Sequence, residues 1–261
     1  MTVATRTAAV EISDLTVRFT SKRSVTTALS EISMRVEPGE LVTIVGPSGC
    51  GKSTLLKLVA GLVKPTSGSV SLLGTRVSRP RKEIGFVFQR AALLEWRGVR
   101  RNILLQAEMR GMDRAAAGRR ADELIELTGL SGFERALPHE LSGGMQQRVA
   151  LCRALLHAPP VLLMDEPFGA LDALTREQLN TELHRIWRRT GTTILLVTHS
   201  IAEAVFLGTR VEVMSPRPGR LVRGFTVDLP GERRYGEVMT DARFGALTTQ
   251  IRELLGSAAS H

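Results

Sequence analysis

Residues 41–53 read Leu41-Val-Thr-Ile-Val-Gly46-Pro-Ser-Gly-Cys-Gly-Lys-Ser53, an apolar run followed by a glycine-rich loop. The loop fits the pattern G-x-x-x-x-G-K-[ST], and it lies between a strand-like and a helix-like segment, which is the context that this pattern requires. Its glycines let backbone N–H groups approach phosphate oxygens closely, and the start of the following helix adds the positive end of its dipole. The stretch therefore predicts a phosphate-binding loop in an α/β protein. A glycine turn that matches by chance is the alternative.

Two side chains of this loop have predicted roles. Lys52 is placed to reach the outer phosphates of a nucleotide, and the Ser53 hydroxyl is placed to hold Mg²⁺. The residues that we predict to bind ATP in this loop are Gly46, Pro47, Ser48, Gly49, Cys50, Gly51, Lys52, Ser53 and Thr54.

The rest of the chain alternates between strand and helix patterns. Alternating or continuous apolar residues predict strands at 10–19, 29–36, 41–45, 69–73, 84–88, 161–164, 193–197 and 211–214. Helical spacing of apolar residues predicts helices at 53–61, 102–110, 115–128, 145–158, 175–189 and 201–207. Strands that alternate with helices predict a mostly parallel sheet covered on both faces, with a helical lobe from 90 to 159.

Two adjacent carboxylates, Asp165 and Glu166, follow the apolar run at 161–164. Successive side chains on a strand point in opposite directions, so the two acids can have different roles. Asp165 is the candidate for binding Mg²⁺ through water, and Glu166 is the candidate for the general base that activates an attacking water. A solvated strand end is the alternative, and it would be favoured if the phosphate-binding loop were absent.

A second predicted anion site lies in the run Leu141-Ser-Gly-Gly-Met-Gln-Gln-Arg148, which opens a helix. Ser142 and the two glycines expose the N–H groups of the first helical turn. Taken alone, this run is only a helix cap. A second helix start suited to phosphate makes more sense if it serves the nucleotide of a neighbouring subunit.

With these motifs the chain resembles the ABC transporter ATPase family over nearly its full length. The run at 141–148 looks like that family's signature motif. The other motifs follow in the family's order: the phosphate-binding loop, Gln89 before the helical lobe, Asp165-Glu166, Asp172 in a D-loop-like Gly169-Ala-Leu-Asp172, and His199 like the switch histidine.

The resemblance implies an α/β fold of the P-loop NTPase type, with a mostly parallel sheet, an antiparallel β subdomain and an inserted helical subdomain. The chain would then divide into four parts. These are the first part of the ATPase core at 1–88, the helical subdomain at 89–159, the rest of the core at 160–223 and a short tail at 224–261.

The resemblance also implies a homodimer that hydrolyses ATP with Mg²⁺. ATP would lie between the phosphate-binding loop of one subunit and the signature motif of the other. The residues implied on that opposing surface are Leu141, Ser142, Gly143, Gly144 and Gln146.

Four more residues receive roles from the resemblance. Gln89 would contact Mg²⁺ or water, and His199 would hydrogen-bond both the γ-phosphate and the catalytic Glu166. Asp172 would lie at the dimer interface, and Phe19 would stack on adenine. A surface or capping histidine is the alternative for His199, and a core residue on an alternating strand is the alternative for Phe19.

Residues 87–96, 138–148 and 213–220 narrow the resemblance to the ATPases of nitrate, sulfonate and taurine importers. This implies a separate membrane permease, an external solute-binding protein and import of a small solute. Trp96 would lie near the groove for the permease's coupling helix, with packing inside the helical lobe as the alternative. The chain departs from the pattern at Glu95, where proline is usual, and at Ser200, where aspartate is common.

Composition limits the other possibilities. The formal charge of +9 comes mainly from scattered arginines, and aromatic residues make up only 4% of the chain. Since basic and aromatic residues do not alternate, we predict no nucleic-acid partner, and we interpret the charge as solvated surface or as a surface close to anionic lipids. Two isolated cysteines predict neither a disulfide framework nor a zinc site.

The apolar stretches are strand-sized, far below the roughly 20 residues that a membrane-spanning helix needs. Residues 1–10 lack the pattern of a secretory signal. We therefore expect a cytosolic chain, and the resemblance to importer ATPases implies that it lies as a peripheral protein on the cytoplasmic face of the membrane. Two rival classes are an ABC ATPase that remodels DNA or ribosomes and a P-loop kinase or GTPase. The first generally carries two cassettes or long coiled coils, and the second has no use for the run at 141–148.

Overall fold

The computed structural model describes residues 7–20 and 24–258. Its elements follow the alternation expected from the sequence. The strands are β1 (Val10–Thr20), β2 (Val25–Val36), β3 (Leu41–Val45), β4 (Ser67–Leu72), β5 (Thr75–Arg76), β6 (Ile84–Val87), β7 (Val161–Asp165), β8 (Thr193–Thr198), β9 (Arg210–Met214) and β10 (Leu221–Thr226). The helices are α1 (Lys52–Val59), α2 (Val99–Arg110), α3 (Arg114–Leu127), α4 (Gly143–Leu155), α5 (Ala173–Thr190), α6 (Ile201–Leu207), α7 (Tyr235–Met239) and α8 (Ala242–Ala258).

The central sheet has the strand order β10-β9-β3-β8-β7-β6, and every pair except β10–β9 is parallel. Every residue of β3, β7 and β8 is buried, as expected for strands covered on both faces. Alternate residues of these strands contribute to two separate hydrophobic cores, one on each face of the sheet. The prediction of a mostly parallel α/β fold is confirmed.

An antiparallel sheet of β2, β1, β4 and β5, in that order, covers one face of the central sheet. Its apolar side chains share a core with α1 and with one side of β3, β7 and β8. The predicted antiparallel β subdomain is therefore present in the fold. It brings β1 and β2 beside the loop between β3 and α1, which is where the phosphate-binding motif lies.

Helices α2, α3 and α4 lie between β6 and β7 in the chain and pack against one another. Their apolar faces join the core on the other side of the central sheet. The inserted helices confirm the predicted fold class. The division of the chain at residues 88/89, 159/160 and 223/224 stays a prediction.

Strand β10 and helices α7 and α8 were not recognised in the sequence. β10 pairs with β9 across the predicted start of the tail at residue 224. The tail packs on α6, and Phe244 and Ile251 of α8 are buried in the core. The Arg233 guanidinium is also buried, and it donates hydrogen bonds to the carbonyls of Phe206 and Gly208 at the end of α6. These contacts fix the tail to the α/β core.

Cys50 and Cys152 are buried free thiols. Among the described residues, none of the helices combines the length and apolar character that crossing a bilayer demands. Most of segment 1–10, on which the expectation about a secretory signal rested, lies outside the described residues.

Candidate functional site

The phosphate-binding motif forms a tight loop between β3 and α1, and two of its glycines are required by close contacts. Gly51 has φ +108°, and a Cβ there would lie 2.7 Å from Leu29 Cδ2. A Cβ on Gly46 would lie 2.9 Å from the Met214 carbonyl oxygen. Side chains at these positions would push the loop away from β2 and β9, so the sequence pattern has a direct steric cause.

The Lys52 ammonium is buried inside this loop. Its Nζ donates hydrogen bonds to the carbonyls of Gly46 at 2.8 Å and Pro47 at 3.1 Å. It also lies 3.9 Å from Glu166 Oε1. The loop carbonyls thus hold a positive charge at the start of α1, beside the carboxylate of Glu166, which follows β7.

Ser53 and Asp165 meet directly, because β7 ends beside the start of α1. Ser53 Oγ donates a hydrogen bond of 2.7 Å to Asp165 Oδ1. Burial raises the pKa of the Asp165 carboxyl, although the Ser53 hydrogen bond opposes this shift. A nearby cation would favour the ionised form of this buried acid.

The Ser53 hydroxyl and the Asp165 carboxylate together fit Mg²⁺. In nucleotide sites this ion is held by one or two protein oxygens together with phosphates and waters. No group of three or more His, Cys, Asp or Glu side chains placed to hold a metal occurs in the described ranges.

Glu166 adopts an unusual backbone conformation just after β7, with φ +44°. Its N–H donates to the Val197 carbonyl at 2.9 Å, which fixes the residue against β8. Its Oε2 lies 2.9 Å from His199 Nδ1, and its Oε1 faces Lys52. Non-glycine residues with positive φ are uncommon and cluster at functional sites. The carboxylate is thereby held between two groups at the ends of neighbouring strands.

A cavity of about 390 Å³ connects these groups to β1 and β2. Phe19 lies on its wall and is 49% exposed, which disagrees with the alternative of a core residue. An exposed aromatic ring beside a cavity that includes residues of the phosphate-binding loop suits a nucleotide base. The lining residues are Phe19, Thr26, Ala28, Gly49, Gly51, Lys52, Ser53, Thr54, Glu166 and Arg217.

Sequence reasoning missed Arg217, which lies in the hairpin between β9 and β10. Its Nη2 donates a hydrogen bond of 3.0 Å to the Gly49 carbonyl of the phosphate-binding loop. The hairpin is fixed against β2 by two hydrogen bonds of 3.0 Å, from the Gly219 N–H to the Ala28 carbonyl and from the Ser30 N–H to the Gly219 carbonyl. The only signal in the sequence was the run Pro216-Arg217-Pro218-Gly219, about 170 residues from the loop that it contacts.

The predicted signature residues lie elsewhere on the same chain. The Ser142 hydroxyl caps α4 by accepting a hydrogen bond from the Met145 N–H, and Gly144 packs against Thr175 so closely that a Cβ would lie 2.5 Å from Thr175 Cγ2. Leu141 is buried, and the Gln146 side chain donates to the Pro138 carbonyl. The cavity beside Lys52 contains none of these residues. One chain therefore does not bring its two predicted anion sites together.

Gln89 and Asp172 also lie outside the cavity lining. Gln89 is exposed just after β6, and its carbonyl accepts a 2.6 Å hydrogen bond from the Gln147 side chain of α4. This contact links the end of β6 to the predicted signature helix. Asp172 caps α5, and hydrogen bonding to Thr175 lowers the pKa of its carboxyl. Its side chain is exposed, and its place at a dimer interface stays a prediction.

Comparison with known proteins places this geometry in a family. A family profile described as "ABC transporter" matches residues 29–169. The chain is 45% identical over 231 residues to the taurine import ATP-binding protein of Roseobacter denitrificans, covering 87% of this chain and 86% of that protein. It is 44% identical over 250 residues to the nitrate import ATP-binding protein of Synechocystis sp., covering 94% of both.

Solved structures agree with this assignment. A dimeric bacterial ABC transporter cassette is 31% identical, with a TM-score of 0.75, and the match covers 85% of this chain and 100% of that one. A dimeric ATP-binding cassette in a post-hydrolysis state with ADP and Pi gives a TM-score of 0.74 at the same identity and coverage. The chain therefore belongs to the ABC transporter family, as an ATP-binding subunit that hydrolyses ATP.

Proposed function

We propose that this chain is the ATPase subunit of an importer for a small solute of the taurine, sulfonate or nitrate type. The observation that carries the proposal is the placement of Lys52, Ser53 and Glu166 in one cavity, with His199 bonded to Glu166. The two relatives described above are named as taurine and nitrate import ATP-binding proteins, which supports the solute class.

In the proposed reaction the phosphate-binding loop holds the triphosphate, and the Lys52 ammonium turns from loop carbonyls toward the outer phosphates. Glu166 accepts a proton from water as the water oxygen attacks the γ-phosphorus and the bond to the ADP oxygen breaks. His199 keeps the Glu166 carboxylate oriented. Ser53 and Asp165 would hold Mg²⁺, which neutralises phosphate charge when bound.

We propose further that the working form is a homodimer. The capped start of α4 offers N–H groups to an anion, yet it lies outside the cavity of its own chain. A twin subunit would bring its Ser142, Gly143 and Gly144 to the triphosphate bound beside Lys52. Asp172 would then lie between the subunits, and Gln89 would report nucleotide state to the helices through Gln147. The dimeric cassettes named above support this arrangement.

An integral-membrane permease is the proposed second partner, with a solute-binding protein acting on that permease from outside. The chain would then lie at the cytoplasmic face of the membrane as a peripheral subunit. Trp96 supports this proposal, because its side chain is 74% exposed although the loop carrying it is rigidly held. The buried Asn102 side chain hydrogen-bonds the backbone of Leu94 and Arg97 on both sides of the tryptophan. Exposed aromatic residues on rigid supports are typical of interfaces.

Trp96→Glu should uncouple transport from hydrolysis. A charge at the centre of an aromatic contact costs about 2 kcal/mol or more, so we expect recovery in the membrane fraction and uptake of labelled taurine or nitrate to fall at least about tenfold. ATP hydrolysis by the purified chain should stay within about twofold of wild type. The measurement uses cells that lack the chromosomal copy and express either the wild-type chain or the Trp96→Glu variant.

Met109→Glu is the matched control, since Met109 is also 74% exposed but lies near the other end of α2. It should support normal uptake. Equal defects in both variants would contradict a specific permease contact at Trp96. If loss of the whole chain changes the uptake of neither solute, the proposed solute class is wrong.

Arg217→Ala should weaken nucleotide binding. The guanidinium lines the cavity and holds the phosphate-binding loop through Gly49, and a hydrogen bond to a charged group contributes roughly 1.5–3 kcal/mol. We expect the Kd for ATP to rise about tenfold or more, measured by isothermal titration. Arg220→Ala is the control, because Arg220 lies in the same hairpin but pairs with Glu31. Unchanged affinity in Arg217→Ala would remove this residue from the site.

A further inference from the structure

A second cavity, of about 420 Å³, lies between the C-terminal half of α5 and the segment that leads into α7. Its lining includes five arginines but only one glutamate. The lining residues are Thr181, His184, Arg185, Arg188, Arg189, Gly231, Glu232, Arg233 and Arg234. The arrangement is unusual because α5 and the segment 231–234, which are separate parts of the chain, both place positive side chains around this cavity.

Local partners account for only part of this charge. Arg185 donates to the Leu127 carbonyl at 2.9 Å, and Arg234 lies 3.6 Å from Glu237. The Arg233 guanidinium already donates hydrogen bonds to the carbonyls of Phe206 and Gly208 at the end of α6. Across the described ranges, the Arg188 and Arg189 guanidinium groups have no carboxylate within ion-pair distance.

The dipole of α5 accounts for the arginines in the last turn of that helix, but not for the arginines of the segment 231–234. Arg188 and Arg189 lie in the last turn of α5, where positive side chains are favoured. Arg233 and Arg234 come from a different segment, whose approach adds repulsion. An anion in the cavity would turn this repulsion into attraction.

Two titratable groups at the cavity experience its positive potential. Burial and the nearby Arg188 lower the pKa of the Arg233 guanidinium to about 10. Burial, Arg233 and Arg188 lower the pKa of the His184 imidazole to about 4. His184 Nε2 is buried and has no hydrogen-bond partner within the described part of the chain. The same wall therefore holds excess positive charge and an unused polar atom.

We propose that this cavity binds a small tetrahedral oxyanion, such as phosphate or sulfate, either free in solution or as the headgroup of a phospholipid. Guanidinium groups bind such oxygens through paired, charge-assisted hydrogen bonds. The site shares no residue with the cavity beside Lys52, and it does not depend on the proposed transport function. A bound anion would hold the segment at 231–234 against α5.

The test uses the His184 imidazole as a local reporter, which separates this site from the phosphate-binding loop. The full-length chain is titrated by NMR between about pH 5 and 7 in chloride and then in phosphate or sulfate at equal ionic strength. In chloride the His184 imidazole, with a pKa of about 4, should stay neutral over this range, whereas an anion beside Arg188 and Arg233 should raise the pKa toward its ordinary value of 6.5 and bring the titration into the range. Short-chain phosphatidic acid, below its micelle concentration, tests the lipid source.

The variant for this test is Arg188→Gln with Arg234→Gln, which removes two exposed guanidinium groups and leaves the buried Arg233 in place. Arg119→Gln on α3 is the matched control, since Arg119 is also exposed on a helix but is not among the residues lining the cavity. We expect the anion response to disappear in the double variant and to persist in the control. A response to phosphatidic acid alone would assign the lipid source.

Two results would overturn the proposal. The first is a His184 pKa in phosphate, sulfate and phosphatidic acid equal to that in chloride, and the second is an undiminished response in the double variant.

Discussion

Glu166→Gln should lower the rate of ATP hydrolysis by about 10²–10⁴-fold, which is the contribution typical of a positioned general base. Glutamine has nearly the same shape and keeps an oxygen for His199 Nδ1, which lies 2.9 Å from Glu166 Oε2. It cannot accept a proton from the attacking water. The defect should therefore fall on the chemical step, while the cavity keeps its form.

Removing the charge should also leave ATP binding intact or improve it. Glu166 Oε1 lies 3.9 Å from Lys52 Nζ, so the wild-type carboxylate competes with phosphates for the ammonium and repels them. We expect an unchanged or lower Kd for ATP, and a dimer that persists with ATP and is detected by size-exclusion chromatography. Steady-state phosphate release gives the rate, and single-turnover measurements separate chemistry from product release.

Lys52→Ala is the contrasting control, because it removes the positive charge held by the loop carbonyls. That variant should lose ATP binding, and with it both hydrolysis and the dimer. A Glu166→Gln variant that turns over ATP at the wild-type rate would show that another group is the base.

The phosphate-binding loop and the strands around it were predictable because their causes are local. The apolar runs of β3, β7 and β8 are buried on both faces, and such strands are continuous in sequence. The departure at Ser200 also has a local account, since Ser200 caps α6 by accepting a hydrogen bond from the Glu203 N–H. In these cases a few neighbouring residues determine both the pattern and the structure.

Strand β10 and the contact of Arg217 were not predictable, because neither has a local cause. Of the residues in β10, only Phe225 is buried, so the strand shows little of the apolar alternation by which strands are recognised. Its place is set by pairing with β9. Arg217 reaches the phosphate-binding loop only because the hairpin is fixed against β2. Long-range pairing of this kind leaves little trace in a single sequence.

Ser142→Arg should stop hydrolysis in the homodimer about as completely as Glu166→Gln, by a different route. The Ser142 hydroxyl is exposed at the start of α4 and lies outside the cavity beside Lys52. An arginine there would remove the helix cap and place bulk where a twin subunit's triphosphate is proposed to lie. ATP binding by the separated subunit should persist, because its phosphate-binding loop is untouched.

A mixed dimer tests whether each nucleotide site is built from residues of both subunits. One subunit carries Ser142→Arg, the other is wild type, and Lys52→Ala is added to either one in turn. If the sites are shared, Lys52→Ala in the same subunit as Ser142→Arg should abolish hydrolysis, because each change then disables a different site. Lys52→Ala in the opposite subunit should leave about half of the wild-type rate, since both changes fall on one site. Purification with two different tags isolates each mixed dimer, and phosphate release measures the rate. The reverse pattern would mean that each chain completes its own site and that the capped start of α4 has no role across the interface.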